Sequence, residues 1–184
     1  MNSKLDNIKA VWESYTPDYT RYRYSGWNLT KIVPNNLKIL DVGCGRNLFK
    51  PYFNNLYGID LVNTNADEIV DIEHFQTTYQ YDAIFALSSI NFFDQGTVER
   101  QIKHITHFLK PDGLIYWRQI PGRTQFAPVI DDSYIFPWSF QKNIELAAMF
   151  NYEVIQLDWD IAVPNIKELD TGFNRIFSVW MRRT

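Results

Sequence analysis

The 184-residue chain carries a single cysteine, Cys44. One thiol excludes an intrachain disulfide framework and fits a reducing compartment. No apolar run approaches the 18 residues that would cross a bilayer, and the opening stretch MNSKLDNIKAVWESY lacks the apolar segment of a signal peptide. A cytoplasmic location with no membrane partner is expected. Lys and Arg number 18 against 21 Asp and Glu, with no long basic run. Tight nonspecific binding to nucleic acid needs several phosphates neutralised at once, so it is not expected. Only RYRY at 21–24 is locally basic. His74, His104 and His107 are not spaced as metal ligands, and no second thiol supports them, so no metal site is expected. Repeats, linkers and low-complexity segments are also missing.

Hydrophobic residues make up 46% and charged residues 21%, the composition of a globular chain. The length suits one domain, residues 1–184, able to bury about two-thirds of its unfolded surface. Aromatics reach 16%. Most of them suit core packing, and some could line a binding surface.

Apolar spacing predicts a short helix over 5–15, broken by Pro17, and another in GWNLTKIVP, ended by Pro34. Strands are expected at 38–42, 56–61, 67–72, 82–87 and 114–119. Helices are expected at 48–53, limited by Pro51, at 96–109 and at 138–150. KPDG at 110–113 reads as a turn, and 152–161 and 173–181 as two late strands. Strands alternating with helices imply a parallel sheet covered on both faces. The last two strands have no helix between them, so they are expected to form an antiparallel edge hairpin. The fold class is therefore α/β: a doubly wound, mostly parallel seven-stranded sheet with an antiparallel C-terminal hairpin. Residues 1–36 form an N-terminal cap segment. The long connection at 120–138 reads as a substrate or lid loop.

The stretch LDVGCGRN at 40–47 carries the chemistry. In a doubly wound sheet, ligands bind beyond the C-terminal ends of the strands. Asp41 ends the first strand there, and Gly43 and Gly45 allow the backbone to approach a ligand. Asp60, at the end of the second strand, is placed to accept hydrogen bonds from a ribose. A dinucleotide site would want G-x-G-x-x-G, but the sixth position counted from Gly43 is Leu48. Asp41 repels a pyrophosphate and suits an ammonium group. A ligand with a ribose at one end and an amine at the other fits, and S-adenosyl-L-methionine is such a ligand.

On these residues the sequence resembles the class I S-adenosylmethionine-dependent methyltransferases. LDVGCGRN resembles the family's first motif, with Asn47 in the place of the third glycine. YGIDL at 57–61 resembles the second, ADEIVDIEHF at 66–75 the third, YDAIFALSSINFF at 81–93 the fourth strand and its loop, and LKPDGLIYWRQ at 109–119 the turn and fifth strand. The resemblance covers about 39–119 and the closing hairpin, and it suggests a compact member. It implies a Rossmann-like fold and a cofactor held by Asp41, Gly43, Cys44, Gly45, Asp60, Leu61, Asp71, Ile72, Leu87 and Ser88. Asp71 would meet the adenine amino group with Ile72 beside the ring; a plain helix N-cap is the rival reading of Asp71. Asn91 stands where many relatives carry glutamate. The family's N-terminal segments often cover the cofactor and meet the substrate.

Methyl transfer from a sulfonium chiefly requires alignment of donor and acceptor. Tyr22 and His107 are the candidate bases if the acceptor must lose a proton. Tyr15, Tyr19, Arg21, Phe92, Arg118, Arg123 and Tyr134 are candidate substrate contacts; Phe92 and Phe93 could equally be core, and Arg21 and Arg23 solvated loop charges. No N/D-P-P-Y/W tetrad and no Pro-Cys segment occurs. A small molecule, sugar or peptide is therefore the expected acceptor, with the protein a monomer or homodimer. A nicotinamide oxidoreductase and a noncatalytic nucleoside-binding module are the alternatives.

Overall fold

The computed structural model describes residues 4–14, 28–121, 135–160 and 175–184. Seven strands make one sheet: β1 (Lys38–Val42), β2 (Asn55–Asp60), β3 (Glu68–Ile69), β4 (Tyr81–Leu87), β5 (Leu109–Gln119), β6 (Tyr152–Asp160) and β7 (Arg175–Arg182). Their order is β3-β2-β1-β4-β5-β7-β6. β1 pairs in parallel with β2 and β4, β2 with β3, and β4 with β5. β7 lies antiparallel between β5 and β6. The fold is a mostly parallel seven-stranded sheet with an antiparallel C-terminal hairpin.

Near-continuous apolar runs produce the central strands, because both faces are covered. One face packs Leu40, Val42, Ile84 and Trp117 beneath α3 (Gln95–Thr106) and α4 (Phe140–Met149). Asp94 caps α3, its Oδ1 accepting from Thr97 N at 2.8 Å, and Ser139 Oγ caps α4, accepting from Lys142 N at 3.0 Å. The other face packs Ile39, Leu56, Phe85 and Tyr116 beneath α2 (Leu29–Ile32) and the aromatic pair Phe49 and Phe53. Among the described residues, the N-terminal helix α1 (Lys4–Ser14) adds none to the core of either layer. Its Ile8, Val11 and Trp12 pack with Leu61, Phe92, Phe93, Ile120 and Ile135, in the segments after β2, β4 and β5.

Three local expectations are corrected. The helix over 48–53 is a single 3-10 turn, Lys50–Tyr52, because Pro51 removes a donor and β2 begins at Asn55. The strand over 67–72 shrinks to Glu68–Ile69, since Asp71 leaves it to cap a second 3-10 turn, Ile72–His74. KPDG is no separate turn. β5 starts at Leu109, which pairs with Tyr81, and the next pair is Ala83 with Leu114, so 110–113 form a bulge in the strand. Gly113 is needed there, because a Cβ would lie 2.6 Å from the Leu109 side chain and 3.0 Å from the Asp82 carbonyl oxygen. α3 ends at Thr106, short of the expected 109.

The capping bond of α3 is a simple check on this layer. Asp94→Ala is expected to lower unfolding free energy by about 1 kcal/mol, read as a lower urea midpoint with an unchanged slope.

Candidate functional site

Asp41 is the fourth residue of β1, between Gly58 of β2 and Phe85 of β4. It is only 2% exposed, and its Oδ2 has no hydrogen-bond partner among the described residues. Burial and then the nearby Asp60 carboxylate push its pKa up to about 7. A buried carboxylate without a countercharge takes up a proton rather than remain ionised. Asp41 and Asp60 thus lie close enough to repel, at the C-terminal end of the central strands.

Asp60 organises the turns around it. Its Oδ2 accepts from Gly45 N at 2.9 Å, and its Oδ1 accepts from Val62 N at 3.0 Å and Asn63 N at 2.9 Å. A carboxylate offers about four acceptor positions. The two on Oδ1 are taken, so Oδ2 keeps room for one further donor, such as one ribose hydroxyl. Gly43 N and Cys44 N both donate to the Ile59 carbonyl, at 2.8 and 2.9 Å. The amides of residues 43, 44 and 45 all have internal partners, which leaves them poorly suited to cradling a pyrophosphate.

Gly43 has φ +68, and a Cβ there would fall 2.3 Å from Ser89 Cβ. Only glycine lets the loop after β4 approach this closely. Gly45 has φ +54, and the space where its Cβ would stand is open. Asn47 also takes a left-handed conformation, φ 56, as expected for its place in the turn. Its Nδ2 donates to the Asn65 carbonyl at 3.0 Å, pinning the β2–β3 loop. Gly58 is required beneath it, since a Cβ would meet Asn47 Oδ1 and Cys44 Sγ at 2.8 Å.

The Cys44 thiol is buried, and its pKa is raised by burial and by Asp41, Asp60 and Asp67, so it stays protonated. Only its backbone belongs to the turn. Leu61 packs with α1, and Ile72 is half-buried against the main core. Asp71 Oδ1 accepts from Glu73 N at 2.8 Å, the geometry of an N-cap. Leu87 is buried, and the next residue, Ser88, has φ 72. Phe92 stacks edge-on with Trp12 at 5.8 Å between ring centroids. Arg118 is buried, with Nε donating to Asp160 Oδ2 at 2.8 Å and Nη1 to Ser88 Oγ at 3.0 Å.

His107 is not brought to this site. It comes just after α3 and precedes Leu109, which pairs with the first residue of β4, at the end of the strands opposite the glycine turn. Its Nδ1 contacts the Lys103 carbonyl oxygen at 2.6 Å. The spacing placed it on α3, and a helix that crosses between two parallel strands ends at the N-terminal end of the second, away from the ligand end. Tyr15, Tyr19, Arg21, Tyr22, Arg23, Arg123 and Tyr134 lie outside the described residues, as do Asp131, Asp132 and most of the 120–138 loop.

Several hydrogen bonds around the site are not evident from the sequence. Asp67 accepts from Gly58 N at 2.8 Å and from Lys50 Nζ. Burial alone would raise its pKa, but these hydrogen bonds outweigh that and hold it low. Asn91 Oδ1 accepts from Ile120 N at 2.8 Å, its carbonyl accepts from Phe136 N, and Trp138 Nε1 donates to the Ile90 carbonyl at 2.9 Å. The loop after β4 is strapped on two sides. A lone glycine inside the β2 pattern, Gly58, is the one signal that a neighbour crosses there.

No protein-family model matches the sequence, and no curated protein does. Solved structures match the whole fold. A 1,6-didemethyltoxoflavin N1-methyltransferase from Burkholderia thailandensis, with 1,6-didemethyltoxoflavin and S-adenosylhomocysteine bound, aligns with TM-score 0.69 and 12% identity, over 98% of this chain and 84% of that one. The chain has the fold of the class I S-adenosylmethionine-dependent methyltransferases. The N-methyltransferase NodS from Bradyrhizobium japonicum WM9, in complex with S-adenosylhomocysteine, aligns with TM-score 0.68 and 12% identity over 97% of both chains. The [4+2]-cyclase SpnF aligns with TM-score 0.62 and 13% identity, over 85% of this chain and 81% of that one. At such identities the likeness fixes the methyltransferase fold and leaves the reaction to the site.

Asp41 makes a prediction about the ligand-free protein. Its folded pKa, about 7, lies above the ordinary aspartate value of 3.8. Between those pH values the folded state holds more protons than the unfolded one, so this group lowers stability as pH rises from about 4 to about 7. Asp41→Asn removes that penalty. The variant is expected to melt several degrees above the parent at about pH 8 and within a degree or so of it at about pH 4, as read by scanning calorimetry.

Proposed function

We propose that the protein transfers a methyl group from S-adenosyl-L-methionine to a small-molecule, sugar or peptide acceptor. The observation that carries this reading is the pair of acids: Asp41, buried with an orphaned oxygen, beside Asp60 with one acceptor position left. Two neighbouring carboxylates in a crevice suit a cationic ligand, and the engaged amides at 43–45 disfavour an anionic one. S-adenosylmethionine offers an ammonium group, a sulfonium and a ribose, and the methyltransferase fold supports it. The bacterial N-methyltransferases of the same fold that hold S-adenosylhomocysteine lend further support.

In this reading Asp41 holds the ammonium group, and Asp60 Oδ2 accepts from a ribose hydroxyl. Leu61 and Ile72 flank the adenine, Asp71 offers its remaining oxygen to the adenine amino group, and the Gly43–Gly45 turn with Leu87 and Ser88 faces the methionine portion. The cofactor supplies an already activated methyl group, so the chain's task is alignment. Ile8, Trp12, Phe92, Ile120 and Ile135 pack with Leu61, the residue after Asp60; in this reading that apolar cluster borders the acceptor, which suits one with an apolar or aromatic face. The alternative is a module that binds the nucleoside without transferring methyl; the placement of His107 away from the crevice favours it to the extent that the acceptor needs a base.

Calorimetry tests the binding step. S-adenosylmethionine is expected to bind, NAD is not, and Asp60→Ala weakens binding at least about tenfold, or 1.4 kcal/mol. Affinity is expected to rise from about pH 6 as Asp41 ionises and to fall above about pH 8 as the ligand's α-amino group loses its proton. A flat profile over about pH 6–8 would remove Asp41 from the site. Release of labelled methyl onto an added acceptor separates transfer from binding alone.

A further inference from the structure

Arg118 stands at the C-terminal end of β5, where a cation suggests an anion-binding substrate contact, yet its guanidinium is turned inward. Its side chain is 10% exposed and that of its partner Asp160, the last residue of β6, is 17% exposed. Its Nη1 donates to Ser88 Oγ, while the Arg118 carbonyl accepts from Ser88 N at 2.7 Å. Arg118 therefore grips Ser88 from its side chain and its main chain together.

Ser88 needs such a grip. Its φ of 72 lies in the left-handed region, which a residue with a Cβ occupies only when its surroundings impose it. The course of the next residues depends on that angle. Ser89 sits so close to Gly43 that no Cβ could fit between them, and the Ser89 hydroxyl is buried with no partner among the described residues. No side-chain hydrogen bond to a described residue holds Ser89 there, so its position is set by the backbone of Ser88.

We propose, on the basis of the cofactor reading above, that Arg118 is a positioning residue for the cofactor site: anchored by Asp160 on the C-terminal hairpin, it holds Ser88 left-handed and so seats Ser89 against the glycine turn. The planar fork of arginine serves both partners at once. A lysine has one nitrogen to offer and cannot reproduce the arrangement.

A double-mutant cycle on the full chain tests this. Arg118→Met is expected to weaken S-adenosylmethionine binding at least about tenfold in calorimetry, and Arg118→Lys to fall with it. In a Ser88→Gly background, where positive φ carries no Cβ penalty, the same substitution is expected to cost less than about threefold. Asp160→Asn, a milder change, should show the same dependence on the background and serves where Arg118→Met fails to fold. Hydrogen exchange on the ligand-free protein is the second readout. Arg118→Met should speed exchange at 88–91 and 43–45 and leave 175–182 unchanged. Equal losses of affinity in the two backgrounds overturn the proposal, and so does unchanged exchange at 88–91. If the parent chain binds no S-adenosylmethionine while exchange changes as expected, the cofactor reading fails and the positioning role stands.

Discussion

A carboxylate at the end of β2 carries the geometry of the site. Asp60 accepts three backbone N–H groups, one from the glycine turn after β1 and two from the loop after β2. Hydrogen bonds to an ionised acceptor are about twice as strong as neutral ones. This carboxylate therefore ties two otherwise independent turns to one point, while Gly43 N and Cys44 N converge on the neighbouring Ile59 carbonyl. With the turn fixed, Asp41 is left buried within range of Asp60, and the repulsion between them is built into the fold. A cation between the two acids would relieve it.

The chain achieves this without the usual helical support. No α-helix succeeds β1 or β2 directly among the described residues; single 3-10 turns and side-chain ties stand in their place. Asn47 reaches to the Asn65 carbonyl, and Asp67 takes the Gly58 amide on the outer side of β2. The Lys50–Asp67 ion pair has exposures of 44% and 26%, so on its own it contributes at most about 1 kcal/mol. Its effect is local: it keeps Asp67 ionised as an acceptor for Gly58. Compactness thus replaces helix packing by hydrogen bonds to particular backbone groups, and Gly58 and Asn47 become exacting positions.

The sheet was legible because buried parallel strands are written as apolar runs, and IL at 39–40 or AIFAL at 83–87 admit few other structures. The hairpin was legible from two late runs with no helix between them. The turn of Gly43 and Gly45 and the strand-end positions of Asp41 and Asp60 were legible for a different reason, since glycines that close an apolar run mark a turn. Legibility failed where a residue's effect depends on a distant partner. KPDG has the composition of a turn, and only its pairing with Tyr81 and Ala83 shows a bulge. Arg118 looked like a substrate contact because the partner that turns it inward, Asp160, lies 42 residues away. His107 was misplaced although the alternation of strand and helix held the answer: a helix that crosses between parallel strands ends at the N-terminal end of the next one, opposite the ligand end.

The two halves of the crevice differ in kind, and the difference is physical rather than incidental. The floor is polar: Asp41, Asp60 and the tied amides. Beside it Leu61, the residue after Asp60, joins an apolar cluster of Ile8, Trp12, Phe92, Ile120 and Ile135, contributed by α1 and by the segments after β4 and β5. Burial lowers the local dielectric, which strengthens any ion pair Asp41 forms and equally raises the cost of leaving it ionised and alone. The same burial that would sharpen recognition of a cation pushes the Asp41 pKa of the ligand-free protein up to about 7. In the proposed reading, binding of a cation and proton release from Asp41 are therefore coupled through the burial of that one carboxylate.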